Sequence, residues 1–227
     1  MTTDLIIAGS GGFARETAAA VNATNAIEPT WRLLGFLDDN AALHGTRRSE
    51  LSVLGAIGEA RKRTAACVAV CVGSPRDPGA RERVVHRLWL PAERFATLVH
   101  PSADIGTGCR LGVGSVLLAQ VVLTADVTIG SFVGVMPHAV LTHDNVIEDF
   151  ATIASGVRLG GGVHIGRGAY VGAGALIREG VTIGAGALVG MGSVVLRDVP
   201  PGHVHVGNPA RYLRTTEMAH QKQGSVS

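Results

Sequence analysis

His143 and Asp144 stand together in the string Leu141-Thr142-His143-Asp144-Asn145. A carboxylate beside an imidazole holds one ring nitrogen protonated and raises the basicity of the other, which makes a general base. Such a base takes a proton from an amine or hydroxyl nucleophile. Most surface histidines have no such role, so the pair matters only if the fold holds it on a rigid, accessible edge. A second constellation lies near the N-terminus. The apolar run Leu5-Ile6-Ile7-Ala8 leads into Gly9-Ser10-Gly11-Gly12 and then into the helix-like Phe13-Ala14-Arg15-Glu16-Thr17-Ala18. Gly9-x-Gly11-x-x-Ala14 fits the dinucleotide fingerprint, in which glycines let backbone amides approach phosphate oxygens at a helix N-terminus. The same turn also serves plain helix-on-sheet packing. Asp38 and Asp39 end a second apolar run. A carboxylate there can accept hydrogen bonds from ribose or sugar hydroxyls.

Two sets of elements must position these residues. Over residues 1–97 the pattern gives strands at Leu5–Ala8, Leu33–Leu37 and Cys67–Val72, the last ending in Gly73-Ser74-Pro75. Helical material lies between and after them, including Gly55–Arg63 and Asp77–Leu90. This is half of a doubly wound sheet, a small Rossmann-like α/β domain. The segment has no second half to hold a nicotinamide, so its glycine turn points to a nucleotide-sugar rather than a redox cofactor.

The second set is a repeat. From Val99 to Val195 every sixth residue is Ile, Leu or Val, without exception. A period of six fits neither a helix nor an ordinary strand and marks a parallel β-helix, a solenoid of short strands stacked coil on coil. Small or β-branched residues two positions earlier, such as Val127, Val163 and Ala169, agree. Glycines directly after the aliphatic sites, such as Gly106, Gly112 and Gly160, are expected at corners that need positive φ. With the register unbroken, no long loop leaves the coils. Leu141 points inward in this register, so His143 rounds a corner and faces out. One coil further on lies Gly161, where no side chain would block a thin ligand running along the edge. The expected division is an α/β domain at 1–97, a β-helix at 98–200, and a C-terminal extension with a polar tail at 201–227.

Composition removes several classes. A net charge of +2 with interspersed signs gives no nucleic-acid footprint, and 4% aromatic content leaves no base-stacking surface. No apolar stretch suggests membrane insertion, and Asp4 stands where a signal peptide would carry positive charge. Cys67, Cys71 and Cys109 form neither a disulfide framework nor a zinc cluster, and Cys67 and Cys71 read as one buried strand face. A reduced, cytoplasmic setting is expected.

Several strings together carry a family resemblance. The hexad array, Gly9-Ser10-Gly11-Gly12, Phe36-Leu37-Asp38-Asp39, Val99-His100-Pro101-Ser102-Ala103 and His143-Asp144 resemble bacterial sugar acyltransferases of the sialic acid O-acetyltransferase and UDP-bacillosamine N-acetyltransferase type. So do Gly192-Ser193-Val194-Val195-Leu196-Arg197-Asp198-Val199-Pro200 and Val206-Gly207-Asn208-Pro209-Ala210-Arg211. The resemblance implies a left-handed β-helix, a homotrimer, active sites between neighbouring prisms, and acetyl-CoA as acyl donor. By the same resemblance, His143 would be the base and Asp144 its partner. Ser10, Gly11, Gly12, Asp38, Asp39 and Gly73 would contact the nucleotide-sugar. Ala173 and Met191, one coil apart, would line the acetyl-CoA groove. One departure concerns Thr152, where some relatives carry a second histidine that touches acetyl-CoA near its thioester. A threonine hydroxyl still donates a hydrogen bond but cannot become a cation.

Other readings remain open. The favoured acceptor is an amine on a nucleotide-linked sugar, yet the same base serves O-acetylation of sialic acid or another sugar. The spacing His138-x4-His143 is also used by trimeric β-helical zinc carbonic anhydrases, although no third imidazole stands in register. His138 reads better as a solvent-facing corner, and no metal is expected. A nucleotide sensor that merely trimerises would leave His143-Asp144 unexplained. His164, His203 and His205 receive no catalytic role. Arg211 fits a CoA phosphate or a structural ion pair equally well.

Overall fold

Leu5, Ile6, Ile7 and Ala8 are all fully buried because their strand is the middle one of its sheet. β1 (Thr3–Ala8) lies between β2 (Trp31–Leu37) and β3 (Cys67–Val70), parallel to both. A central parallel strand is covered on two faces, so it reads as a continuous apolar run. α1 (Gly12–Ile27) covers one face, packing Ala14, Ala18 and Val21 with Leu5 and Ile7. α2 (Ala80–Leu88) covers the other, packing Val84, Val85 and Leu88 with Ile6 and Ala8. The helix expected from Asp77 starts only at Ala80, because Pro78 disfavours helical backbone in the residue before it. The helix expected at Gly55–Arg63 is a 3-10 segment, Ile57–Lys62.

The structure, a computed structural model, describes residues 2–216. Of the C-terminal extension with a polar tail expected at 201–227, the residues from 217 on lie outside the described residues. Two-residue strands recur every six residues from Leu98–Val99 to Val194–Val195 and stack in parallel into three sheets of six, five and six such strands. These sheets are the faces of a prism. Leu141 pairs with Leu123 and Leu159 on the first face, Ile147 with Ile129 and Ile165 on the second, and Ile153 with Val135 and Val171 on the third. Their side chains form one continuous core. No long loop leaves the coils. A hairpin of His203–Val206 and Arg211–Thr215 extends the third face at its far end.

The corner glycines have a different cause from the one expected. Positive φ falls two residues later, at Asp126, His138, Asp144 and Phe150 as well as at glycines such as Gly162. Gly160 is glycine for space: a Cβ there would stand 2.6 Å from the Glu179 backbone nitrogen of the next coil. Glycine at that position lets successive coils approach to strand spacing.

The α/β domain rests on the third face. Leu98, Val116 and Leu118 join the core beneath α1, while Phe132 and Phe150, stacked 5.2 Å apart, join the core beneath α2. Arg167, from the adjoining corner, bonds Glu82 of α2 and Asp149. Among the described residues, no helix is long and apolar enough to cross a membrane.

Candidate active site

All six residues expected to hold a nucleotide-sugar line one cavity of about 620 Å3. Ser10, Gly11 and Gly12 form its floor, where Gly11 caps α1 with no side-chain hydrogen bond, leaving the first amides of the helix for an anion. Gly9 has φ +108, and a Cβ there would stand 2.7 Å from the Cys71 carbonyl oxygen. Only glycine fits so close to the end of β3. Asp38 accepts from the Ser10 amide at 3.1 Å and the Ser10 hydroxyl at 2.6 Å, so it braces the turn. Asp39 accepts from the Ile57 amide at 3.1 Å and from the Arg87 guanidinium.

Arg83 and Arg87 also line this cavity, and the sequence reading missed both. Their spacing of i and i+4 on α2 puts them on one helix face, a signal that was available. Two guanidinium groups beside free helix amides suit a diphosphate.

A second cavity of about 250 Å3 shares Phe13 and Gly73 with the first and opens onto the solenoid. Thr152 and Ala173 line it, together with Tyr170 and Ser155. Between the two domains lies Arg81, 2% exposed and with no carboxylate partner among the described residues. It donates to the carbonyls of Val72, Phe132 and Ala151 and, at 2.8 Å, to the Thr152 hydroxyl. Burial pulls its pKa down to about 10, so it stays charged at neutral pH. Thr152 is thus tied to a buried cation with no signature in the sequence.

His143 lies elsewhere. Its Nδ1 is 2.8 Å from Asp144 Oδ2, and both side chains are 66% exposed. Its Nε2 has no protein partner among the described residues. Asp144 has φ 60, a left-handed corner that aspartate tolerates better than most residues. The ring packs over Gly161, where a Cβ would stand 2.4 Å from His143 Cε1. Gly161 therefore makes room for the imidazole itself, and the open ligand path expected there is filled by that ring.

His143 occupies the edge between the first and second faces. Thr152 is on the third face, and Ala173 follows it at the edge between the third and first. Met191, 82% exposed, is on the Ala173 edge one coil on. One chain therefore does not bring the base and the other solenoid residues together. His138 is an exposed corner at φ 62, and His164 bonds Glu148 at 2.8 Å. Cys67 and Cys71 pack in the same core beneath α1, but Cys71 lies just past the end of β3 and Cys67 is only half-buried. Burial pushes the Cys71 thiol up to about 12, so it is inert.

Residues 4–88 match the PglD N-terminal domain model, and residues 146–179 and 162–197 match the bacterial transferase hexapeptide model. WeeI from Acinetobacter baumannii AYE is 30% identical, with a TM-score of 0.80, and the match covers 93% of this chain and 100% of that one. The chain belongs to the hexapeptide-repeat sugar acetyltransferases with a PglD-type N-terminal domain. It is accordingly an enzyme, an acyltransferase. Another similar structure is the acetyltransferase domain of PglB from Neisseria gonorrhoeae FA1090, in complex with acetyl coenzyme A. It is 28% identical, with a TM-score of 0.82 over 94% of this chain and 100% of that one. A histidine-to-alanine mutant of GDP-perosamine N-acetyl transferase from Caulobacter crescentus, in complex with CoA and GDP-perosamine, is 27% identical. Its TM-score is 0.81 over 94% of this chain and 98% of that one. Comparison with curated proteins gave no match.

Proposed function

We propose that this acetyltransferase moves the acetyl group of acetyl-CoA to an amino group of a nucleotide-linked sugar, with His143 as general base. The observation that carries this reading is the His143–Asp144 pair, with Nε2 free on a rigid exposed edge. Asp144 holds Nδ1 protonated, and Nε2 takes the proton as the amine attacks the thioester carbonyl. The tetrahedral adduct then expels the CoA thiolate, which recovers that proton from His143.

The division of labour follows the domains. Residues 1–97 bind the acceptor: amides of the Ser10–Gly12 turn with Arg83 and Arg87 take the diphosphate, while Asp38 and Asp39 take hydroxyls. The sugar passes between Phe13 and Gly73 toward the second cavity. The solenoid, residues 98–200, carries the transfer, with acetyl-CoA along the Ala173 and Met191 edge beside Thr152. Because His143 lies on a different edge, a neighbouring chain supplies it, and the assembly is a homotrimer with sites between prisms. The exposed apolar side chains Leu176, Met191 and Leu196 suit such contacts. The relatives with acetyl coenzyme A and with CoA plus GDP-perosamine support both co-substrates, and the latter's name supports an amine acceptor. Free Cys67, Cys71 and Cys109 fit a cytoplasmic setting.

The test is acetyl-CoA consumption, followed as free thiol, against UDP-, GDP- and dTDP-linked amino sugars and free sialic acid. Thiol release with one nucleotide-amino sugar is expected. In His143→Ala the rate should fall several-hundredfold or more, on the order of the loss of a general base, with melting unchanged. Turnover of sialic acid alone would remove the amine acceptor, and near-normal activity of His143→Ala would remove the base.

A further inference from the structure

Asn145 interrupts an apolar column. Cys109, Val127, Val163 and Val181 occupy the same corner position in successive coils and pack in or against the prism core. Asn145 takes that position in the one coil that carries His143 and Asp144, and it is 0% exposed. Its Nδ2 donates to the Gly160 carbonyl at 2.7 Å, whereas its buried Oδ1 has no partner. A half-satisfied buried amide costs stability, so a valine would suit the scaffold better. Departures of this kind collect where function needs them.

The Gly160 carbonyl begins the segment on which His143 rests. Gly161 abuts the imidazole, and the Gly162 amide donates to the His143 carbonyl at 2.9 Å. Three consecutive glycines are the freest backbone a chain can have. We propose that Asn145 is a positioning residue, hooking Gly160 so that the Gly160–Gly161 peptide forms a fixed floor that keeps His143 Nε2 aimed at the nucleophile. This rests on the reading of His143 as base. The fold contains its own precedent: the Ser115 hydroxyl donates to the Gly130 carbonyl at 2.7 Å over the same sequence separation.

The experiment compares Asn145→Val, Asn145→Ala and Asn145→Ser in the full chain, with His143→Ala alongside. Turnover, both KM values, melting and the imidazole nitrogen NMR signals of His143 are measured. The serine variant keeps a donor and should retain near-wild-type turnover. The valine and alanine variants should lose about 10–100-fold in kcat, the scale of a small misplacement, with both KM values little changed. Their melting should stay close to wild type, while the His143 ring signals shift or broaden. Equal turnover in the serine and alanine variants, or unchanged ring signals in the alanine variant, overturns the proposal. If the valine variant does not fold, the serine–alanine pair decides. Should His143→Ala stay active, the base reading fails, and the ring signals still judge whether Asn145 positions the imidazole.

Discussion

Ser10, Gly11, Gly12, Asp38, Asp39 and Gly73 come from three loops of the α/β domain and face a single cavity. His143, Thr152 and Met191 of the solenoid belong to two different edges and one face of a prism. The contrast follows from the two architectures. Parallel strands deliver all their C-terminal loops to one end of a sheet, where they converge on a ligand. A triangular solenoid turns each corner outward, so functional side chains diverge. A domain of the first kind can bind alone, whereas one of the second kind completes a pocket only against another surface.

The largest effect that would break this contrast lies in the prism core. Ile147, 1% exposed, packs between Ile129 and Ile165. Ile147→Asp buries a carboxylate with no partner and should abolish soluble folded protein, read as soluble yield and circular dichroism. A folded variant would mean that the register of the coils is wrong. Asp38→Ala sharpens the other side. Without its brace on Ser10, the nucleotide-sugar should bind at least tenfold more weakly, roughly the loss of a charged hydrogen bond, while acetyl-CoA binding barely changes in calorimetry. Equal weakening of both ligands would contradict separate binding regions. The smallest effect separates two neighbouring glycines. Gly161→Ala should displace His143 and cut kcat about tenfold with melting nearly intact. Gly160→Ala drives a Cβ against the Glu179 backbone and should lower melting instead. If the two variants behave alike, Gly161 has no special tie to the imidazole.

The repeat was legible because each two-residue strand and its corner use six residues, so one aliphatic side chain per hexad must point inward. The glycine turn was legible for a related reason: a single close approach, Gly9 against Cys71, demands one residue type. Corner glycines were harder to read. Composition does not separate a glycine needed for left-handed backbone from one needed for coil spacing, and Asp144, Phe132 and Phe150 take positive φ without being glycine. Arg81 was invisible among the arginines of α2, because most of its partners, the Phe132 and Ala151 carbonyls and the Thr152 hydroxyl, come from the distant solenoid. Asn145 stands where neighbouring hexads carry Cys109, Val127, Val163 and Val181, but only the structure shows that its amide is buried there.

Subunit complementation tests most directly whether the base of one chain serves the binding edge of another. Ala173→Trp should block the acetyl-CoA edge and His143→Ala should remove the base, leaving each variant inactive alone. Co-expressed as mixed assemblies, some interfaces would pair an intact His143 with an intact Ala173 edge. The account predicts that thiol release with the nucleotide-amino sugar returns to a substantial fraction of wild type. Mixed assemblies that form but stay as inactive as either parent would contradict it.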